Sequence, residues 1–417
     1  MFLLIQSAQD PALSLLNSAL EDSGISAKLG YLASSLFLVI SIPASMSVPL
    51  LRQVFGYKTL LVSVALLSPG LYVGMILLKK YAILAGVVVS GAANGVVQVI
   101  TQDYVTSISL VENIERNLSY FLLVSNMYSI VGSVINFFCL DGSGSLDNVT
   151  RVRIYGSCVG VTVLAGLMGL LLLRRITVNT DSSEARSRLV DGFESIEQTD
   201  KTSFKVRFVG LMKEPVVRDL VVTEVVVAIL FSYKQNIFTG VRNTYDNVSI
   251  LPIMGFIDGI CTVISNATLY KLSQKYSYQR MVHLITWLHF IWLFLLLAVF
   301  PGDGFQTKDI TQTPLVPTGD WVVYVLVIVS GLAISYSMVL TTVTVGRVVS
   351  CAEVMHGMKP DIVFSLQNTV FCCCYAAFDA LIPYVSLYVH VFLAFVGLLI
   401  QYYCYLSNLL GYLSRWN

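Results

Sequence analysis

The stretch RRITVNTDSSEARSRLVDGFESIEQTDKTSFKVRFVGLMK, residues 174–213, decides the architecture of this 417-residue chain. Charged and polar residues run through it, and no window inside it is long and apolar enough to cross a bilayer. On either side lie roughly six hydrophobic runs, each close to the ~20 residues that a helix needs to span ~30 Å of hydrocarbon. The pattern predicts a six-helix half over residues 1–173, a charged linker over 174–215 and a second six-helix half over 216–417.

Composition supports an integral membrane protein. The chain is 56% hydrophobic and only 12% charged, and its mean hydropathy is +0.75. These values lie far from those of soluble globular domains, and about twelve spans leave no length for a separate soluble domain. A net charge of +1 gives no reason to expect a nucleic-acid partner. The lipid bilayer is therefore the first predicted partner, and the chain is all-α.

The sequence carries no recognisable catalytic or metal-binding motif. It lacks a GxSxG elbow, a Walker loop, an HExxH pair and a GxGxxG turn, so we expect no enzyme activity, no catalytic residues and no cofactor. No CxxC or Cys/His spacing predicts a metal site. The run Cys372–Cys374 is compatible with acylation or metal binding, but helix packing is favoured because buried free cysteines behave as small hydrophobes.

Two patterns bear on orientation. Most Lys and Arg residues, including those of the linker, fall on the side of the N-terminus when the spans are counted in order, which favours cytosolic termini. Sequons at Asn148 and Asn247 fall in loops on the other side, where glycosylation occurs. Those at Asn117 and Asn266 fall in the cytosol and inside a span. We expect a multi-pass protein of the plasma membrane or an endomembrane, with both termini cytosolic and Asn148 and Asn247 modified.

The two halves carry related turns after their second span. PLLRQVFGYK (49–58) and YKLSQKYSYQ (270–279) lie where major facilitator proteins carry a GxLaDrxGRrr motif, and the layout resembles that superfamily, which implies two six-helix bundles around a central cavity. In that motif a carboxylate latches neighbouring helices at the cytosolic face, whereas both halves here carry Gln. A neutral Gln predicts a gate with weaker electrostatics. The predicted gate residues are Arg52, Gln53, Gly56, Lys58, Gln274 and Lys275.

The first half resembles the UNC-93-like proteins, a divergent branch of the same superfamily. The resemblance is carried by PLLRQVFGYKTLL (49–61), by TQDYVTS (101–107) at the end of a Gly/Ala-rich span, and by NLSYFLLVSNMYSIVGSVINFF (117–138). It covers about residues 30–140 and departs from the family at Asp103, where a small residue is expected, and in its short N-terminus. The resemblance implies a facilitator fold in a group that includes ion-channel regulators and receptor-trafficking companions.

Polar residues inside the spans are the candidate site. Ionisable groups cost free energy in hydrocarbon, so each one is a functional candidate, and in repeat-built transporters the two halves meet around a central site. The candidates for the cavity are Asp10, Gln98, Gln102, Glu224, Lys234 and Asp258.

These candidates also have interpretations that involve no functional role. Glu224, Asp103 and Arg347 lie near span ends, where interfacial water is an alternative. Lys234 has a side chain long enough to reach an interface, and Asp258 is equally well explained as a helix–helix contact. Gly86, Gly91 and Gly95 in the fourth span predict the close approach of a neighbouring helix.

Two functions fit the sequence. The first is transport of a small solute by alternating access, which the intramembrane charges favour. The second is a regulatory or trafficking subunit bound to a membrane-protein partner, which the resemblance and the two Gln residues of the gate favour.

Overall fold

A computed structural model gives the fold. It describes residues 1–25, 27–109, 114–140, 146–172, 209–245, 250–275, 278–303, 321–356 and 360–413. Within these residues the regular elements are helices: α1 (Phe2–Ser14), α2 (Leu16–Asp22), α3 (Ala27–Leu67), α4 (Gly70–Leu77), α5 (Lys80–Ser107), α6 (Ile114–Ser125), α7 (Tyr128–Leu140), α8 (Asn148–Leu172), α9 (Pro215–Tyr245), α10 (Leu251–Lys275), α11 (Tyr278–Val299), α12 (Trp321–His356), α13 (Pro360–Leu381) and α14 (Leu387–Leu413).

The described helices group into twelve membrane passes, the number expected from the hydrophobic runs. Pass one is α1 with α2, broken at Leu15, and pass five is α6 with α7, broken at Asn126 and Met127. Passes two and three are the two parts of α3, the second continued by α4. Because the number of passes is even, α1 begins and α14 ends on one side of the bundle, which we call the terminus side.

Length and composition alone single out seven of these stretches, among the described residues, as apolar enough to cross a membrane. One of them runs over residues 28–77 and so contains two passes, and the apolar parts of α11 and α14 are shorter than the others. The first pass is split by its break, and α9 carries Glu224 and Lys234. Simple hydropathy therefore undercounts the passes where helices are broken or carry charge.

Gly56 makes the turn between passes two and three. Its backbone has φ 71° and ψ 167°, so α3 is two helices joined at this residue. A positive φ of this kind is strained for a residue with a side chain. The turn predicted over residues 52–58 is confirmed, and glycine supplies the conformation it requires.

The glycines of α5 allow α3 to pack against it at backbone distance. A Cβ placed at Gly91 would lie 2.5 Å from the Phe37 carbonyl oxygen, and one at Gly95 would overlap the Ser41 carbonyl. Ser41 Oγ also donates to the Gly91 carbonyl at 2.8 Å. The close approach predicted from the glycine spacing is confirmed, and it fixes one face of α5 toward the centre of the molecule.

The two halves contact each other most extensively along two helix pairs, α3 with α13 and α7 with α10, and α13 also contacts α5. A cluster of buried apolar side chains on the terminus side draws on both halves, including Val48 and Val97 from the first and Val349 and Phe364 from the second. The fold is two six-helix bundles around a central cavity. The half boundaries at 173 and 216 stay a prediction, because the predicted linker lies largely outside the described residues.

Candidate functional site: a carboxamide-lined cavity between the halves

A cavity of about 200 Å³ lies between the two halves. The first half contributes α1, α3, α5 and the broken pass α6–α7, and the second contributes α9, α12 and α13. Helices of both halves therefore face one space, as expected for a site built at a repeat interface.

Carboxamide side chains dominate the polar part of the lining. They are Gln6, Gln9, Asn94, Gln98, Gln102, Asn126, Gln235, Gln367 and Asn368. Asn94, Gln98 and Gln102 recur every four residues, which places them on one face of α5. Gln98 and Gln102 thus lie where the sequence predicted a cavity. The other carboxamides were missed, although Gln6 and Gln9 at i, i+3 and the four-residue spacing on α5 were available signals.

A short hydrogen-bond chain fixes Asn94 at the cavity wall. Gln9 Nε2 donates to Asn94 Oδ1 at 3.3 Å, and Asn94 Nδ2 donates to Ser41 Oγ at 3.3 Å. Ser41 in turn is held by α3 and α5 through the carbonyls of Phe37 and Gly91. The chain ties α1, α3 and α5 together and orients the amide.

Several lining groups are buried without a hydrogen-bond partner. The unpaired donors are Gln6 Nε2, Asn126 Nδ2 and Asn368 Nδ2. Gln235 Oε1 is an unpaired acceptor, and Thr341 Oγ1 also has no partner. Buried polar groups are nearly always satisfied, and leaving one unsatisfied costs about 1–3 kcal/mol. These atoms have almost no solvent-accessible surface, so their side chains have to shift before a solute or water reaches them.

Glu224 is the charged residue of the cavity among the described lining residues. It is 2% exposed, and its Oε1 accepts a hydrogen bond from Gln367 Nε2 at 2.7 Å. The described lining includes no Asp, Lys, Arg or His. The interfacial interpretation of Glu224 is wrong, because α9 begins at Pro215 and carries this residue more than two turns into the bundle.

Lys234 and Asp258 form a buried ion pair outside the cavity lining. Lys234 Nζ lies 2.7 Å from Asp258 Oδ2, and the two side chains are 11% and 5% exposed. Ser129 of α7 donates to the same carboxylate oxygen at 3.4 Å. Lys234 also lies over the ring of Phe231, 5.9 Å from its centroid, and Phe231 lines the cavity. The pair thus joins α9 and α10 to the first half directly behind the cavity wall.

A second buried carboxylate, Asp379 of α13, also contacts α9. Asn236 Nδ2 donates to Asp379 Oδ1 at 3.1 Å, and Asp379 is 3% exposed. Lys234 and Asn236 therefore connect one helix of the second half to both carboxylates. Asp10, the remaining cavity candidate, lies in α1 next to Gln9, but its side chain lies outside the described part of the chain, as does that of Arg347.

The terminus side is closed by Arg52. Its Nη1 pairs with Asp103 of α5, and its Nη2 lies 2.9 Å from Asp361 Oδ2 of α13. Tyr57 Oη donates to Asp103 Oδ2 at 2.8 Å. Asp103 and Asp361 are 2% and 1% exposed. One guanidinium therefore links two passes of the first half to the second half.

This cluster corrects two expectations. The gate was expected to have weak electrostatics because Gln replaces the motif carboxylate, but Asp103 and Asp361 supply two carboxylates from other helices. The interfacial interpretation of Asp103 is also wrong, since the Arg52 ion pair and the Tyr57 hydroxyl enclose it. Gln53 is exposed, Gly56 makes the turn and Lys58 is half-buried. Lys275 is exposed at the end of α10, and the Gln274 side chain lies outside the described residues.

The sequon residue Asn148 is exposed at the first position of α8, on the side opposite the termini. The preceding Asp147 accepts a hydrogen bond from the Thr150 backbone N–H at 2.7 Å, which holds the pKa of that carboxyl below its usual range. Asn247 lies outside the described residues. Asn266 is 4% exposed inside α10.

With the fold and the cavity in place, comparison with known proteins gives the family. The model of the ion channel regulatory protein UNC-93 family matches residues 21–406. The chain belongs to the UNC-93 family. The resemblance seen in the first half is confirmed, and the family match extends it through the second half. No curated protein sequence matches the chain.

Solved structures similar to this UNC-93 family member are transporters of the major facilitator type. The nucleoside transporter NupG aligns with a TM-score of 0.66 at 11% identity, covering 97% of this chain and 97% of that chain. The xylose transporter XylE from E. coli aligns at 0.65 and 10%, covering 96% and 95%. The E. coli fucose:proton symporter FucP aligns at 0.56 and 13%, covering 96% of each. At these identities the structural similarity shows the fold alone, which is that of a multi-pass membrane protein.

Proposed function

We propose that this UNC-93 family member moves a small solute across a membrane by alternating access through the carboxamide-lined cavity. The observation that carries the proposal is the set of carboxamide side chains from both halves that line one cavity. A protein that uses its fold only as a scaffold has no need for such groups around an internal space, because polar side chains cost free energy when they are buried in an apolar environment. A bound solute gives them hydrogen-bond partners.

Arg52 is the group that would hold the terminus side closed. Its pairing with Asp361 joins the halves, while its pairing with Asp103 keeps it in place on the first half. Separation of α13 from α3 breaks the first pairing and leaves the second intact, so the arginine keeps a partner in both states. Rocking of one bundle against the other is how repeat-built transporters alternate their access.

Glu224 is the group that we assign to a coupling proton. It is a buried carboxylate whose hydrogen bond to Gln367 links α9 and α13. An ionisable residue inside the membrane that faces a cavity is a candidate for such a role. Glu224→Gln keeps the side-chain shape and removes the titration, so solute uptake should lose its dependence on a pH gradient.

A regulatory or trafficking subunit for a channel or receptor is the second candidate function. The name of the matched family, ion channel regulatory protein, favours it. In this case the cavity binds no solute, and the outer surface binds a membrane-protein partner.

One experiment separates the two functions. Purified full-length protein is screened by thermal unfolding against a broad solute library at two pH values, because a ligand at 100 times its Kd adds about 2.7 kcal/mol of stability. Transport predicts a stabilising solute whose effect is lost in Gln98→Ala, in the cavity, and kept in Gln53→Ala, an exposed glutamine. No stabilising solute, together with one stoichiometric co-purifying membrane protein, would reject transport and favour the subunit.

The finer assignments are also proposals. We assign both termini to the cytosol of a plasma membrane or endomembrane protein, glycosylation to Asn148 and Asn247, and no enzymatic activity to the chain. The exposed position of Asn148 supports its modification. A glycosidase-sensitive shift in mass that disappears in Asn148→Gln/Asn247→Gln would agree with this orientation, and an unmodified wild type expressed in a glycosylating cell would argue against it.

A further inference from the structure

We infer that the cavity selects a neutral, hydroxyl-rich solute about the size of a monosaccharide. The inference rests on the proposed transport function and names the class of its substrate. It follows from the balance of hydrogen-bonding groups, the charge of the lining and the size of the space.

The polar lining favours a partner that both donates and accepts. Each carboxamide of the lining, among them Gln98, Gln102 and Asn368, carries N–H donors and a carbonyl acceptor. A hydroxyl group donates one hydrogen bond and accepts others, so a polyol suits both kinds of atom. An ammonium ion only donates and a carboxylate only accepts, so each satisfies only part of the set.

The charge of the lining also disfavours ions. Among the described lining residues Glu224 is the ionisable acid, and no Lys, Arg or His lies beside it. An anionic solute would find no counter-charge among the described lining residues, and burying an unpaired charge is costly. A cation would meet one carboxylate, yet it would accept no hydrogen bond from the amide N–H groups.

The apolar part of the wall suits a ring. Aromatic side chains from both halves line the cavity, among them Phe37 and Phe121 from the first and Phe231, Phe371 and Tyr375 from the second. Pockets for small molecules combine such faces with a few placed polar groups. The flat carbon face of a sugar or cyclitol ring packs on an aromatic ring while its hydroxyls reach the amides.

The volume sets the size. A space of about 200 Å³ lies below the ~300–1,000 Å³ of typical ligand pockets, so it favours a solute about the size of one monosaccharide, cyclitol or small nucleoside.

The test uses pairs of probes that differ in charge on one scaffold. With purified full-length protein, binding of D-glucose is compared with binding of D-glucuronate and D-glucosamine, and binding of uridine with binding of uridine 5′-monophosphate; myo-inositol is a further neutral probe. At least one neutral probe should bind, with each charged counterpart at least about tenfold weaker. Gln98→Ala and Asn368→Ala should each weaken binding of that neutral probe about tenfold, which is the upper range for one lost hydrogen bond. Gln53→Ala should leave this binding unchanged.

A gain-of-function variant guards against loss of folding. Gln98→Glu keeps the side-chain size and adds a negative charge, so it should shift preference from D-glucose toward D-glucosamine. Binding of a charged probe without its neutral counterpart, neutral binding unchanged in both cavity variants, or no binding of any of these probes would overturn the inference. A charged solute found by the broad library screen would overturn the substrate class while leaving transport standing, whereas a library without hits would reject both.

Discussion

Two kinds of polar residue lie inside this membrane protein. Carboxamides face the cavity, whereas Lys234, Asp258, Arg52 and Asp103 pair with opposite charges away from it. Sequence reasoning finds both kinds, because any polar residue in an apolar run stands out. It does not separate them, since the partners lie on different helices and only the folded arrangement brings them together. The sequence assigned Gln98, Glu224 and Lys234 to the cavity for one reason, because each is a polar residue in an apolar run. Lys234, however, lies behind the cavity wall.

The buried pair of Lys234 and Asp258 gives a prediction at this scale. Lys234→Met leaves Asp258 buried without a counter-charge, which should lower stability by about 3–5 kcal/mol. Thermal unfolding of the purified variant measures the loss. Lys275→Met is the matched control, because Lys275 is exposed at the end of α10, and it should be nearly neutral.

The double variant Lys234→Met/Asp258→Leu should recover most of the stability, because an apolar pair can replace a buried ion pair. If Lys234→Met proved no more harmful than Lys275→Met, the pair would not be a buried, desolvated contact.

Helix packing is the part of the structure that the sequence predicts best. The glycines of the fourth span predicted the close approach of a neighbouring helix, because residues without a side chain allow two backbones to come close. The structure shows that this neighbour is α3 at Gly91 and Gly95. The breaks at Leu15 and at Asn126–Met127 were not foreseen. Neither break has a proline or glycine at the break itself, and Asn126 belongs to a lining that both halves share, which one sequence does not show.

The glycine contact gives a prediction for an element. Gly95→Ala places a methyl group against the Ser41 carbonyl of α3, so it should lower stability by about 1–3 kcal/mol, the usual cost of overpacking. The same change at Gly160 of α8 meets open space, and it should leave stability unchanged or raise it by up to about 1 kcal/mol because alanine favours helix.

Thermal unfolding of the two variants in the same detergent compares the effects directly. Equal stabilities would show that α5 and α3 do not approach as closely as the backbone distances indicate.

For the whole molecule, the sequence predicts two six-helix halves from the counting of hydrophobic runs, and the fold agrees. The gate shows where that reasoning stops. Replacing the motif carboxylate by Gln53 suggested a weakened gate, yet Arg52 reaches Asp361 on the other half and Asp103 beside it. The carboxylates that pair with Arg52 lie on other helices, and a motif within one turn does not report them.

The measurement that tests the account most directly is the distance between the halves on the terminus side. Spin labels carried by non-natural residues at positions 53 and 275, both exposed and one in each half, avoid the eight cysteines of the chain. Pulsed electron paramagnetic resonance should show two populations, one with a shorter and one with a longer distance between the labels. Arg52→Gln should shift the protein toward the longer distance, whereas Lys58→Gln should not. A single distance that Arg52→Gln leaves unchanged would contradict alternating access.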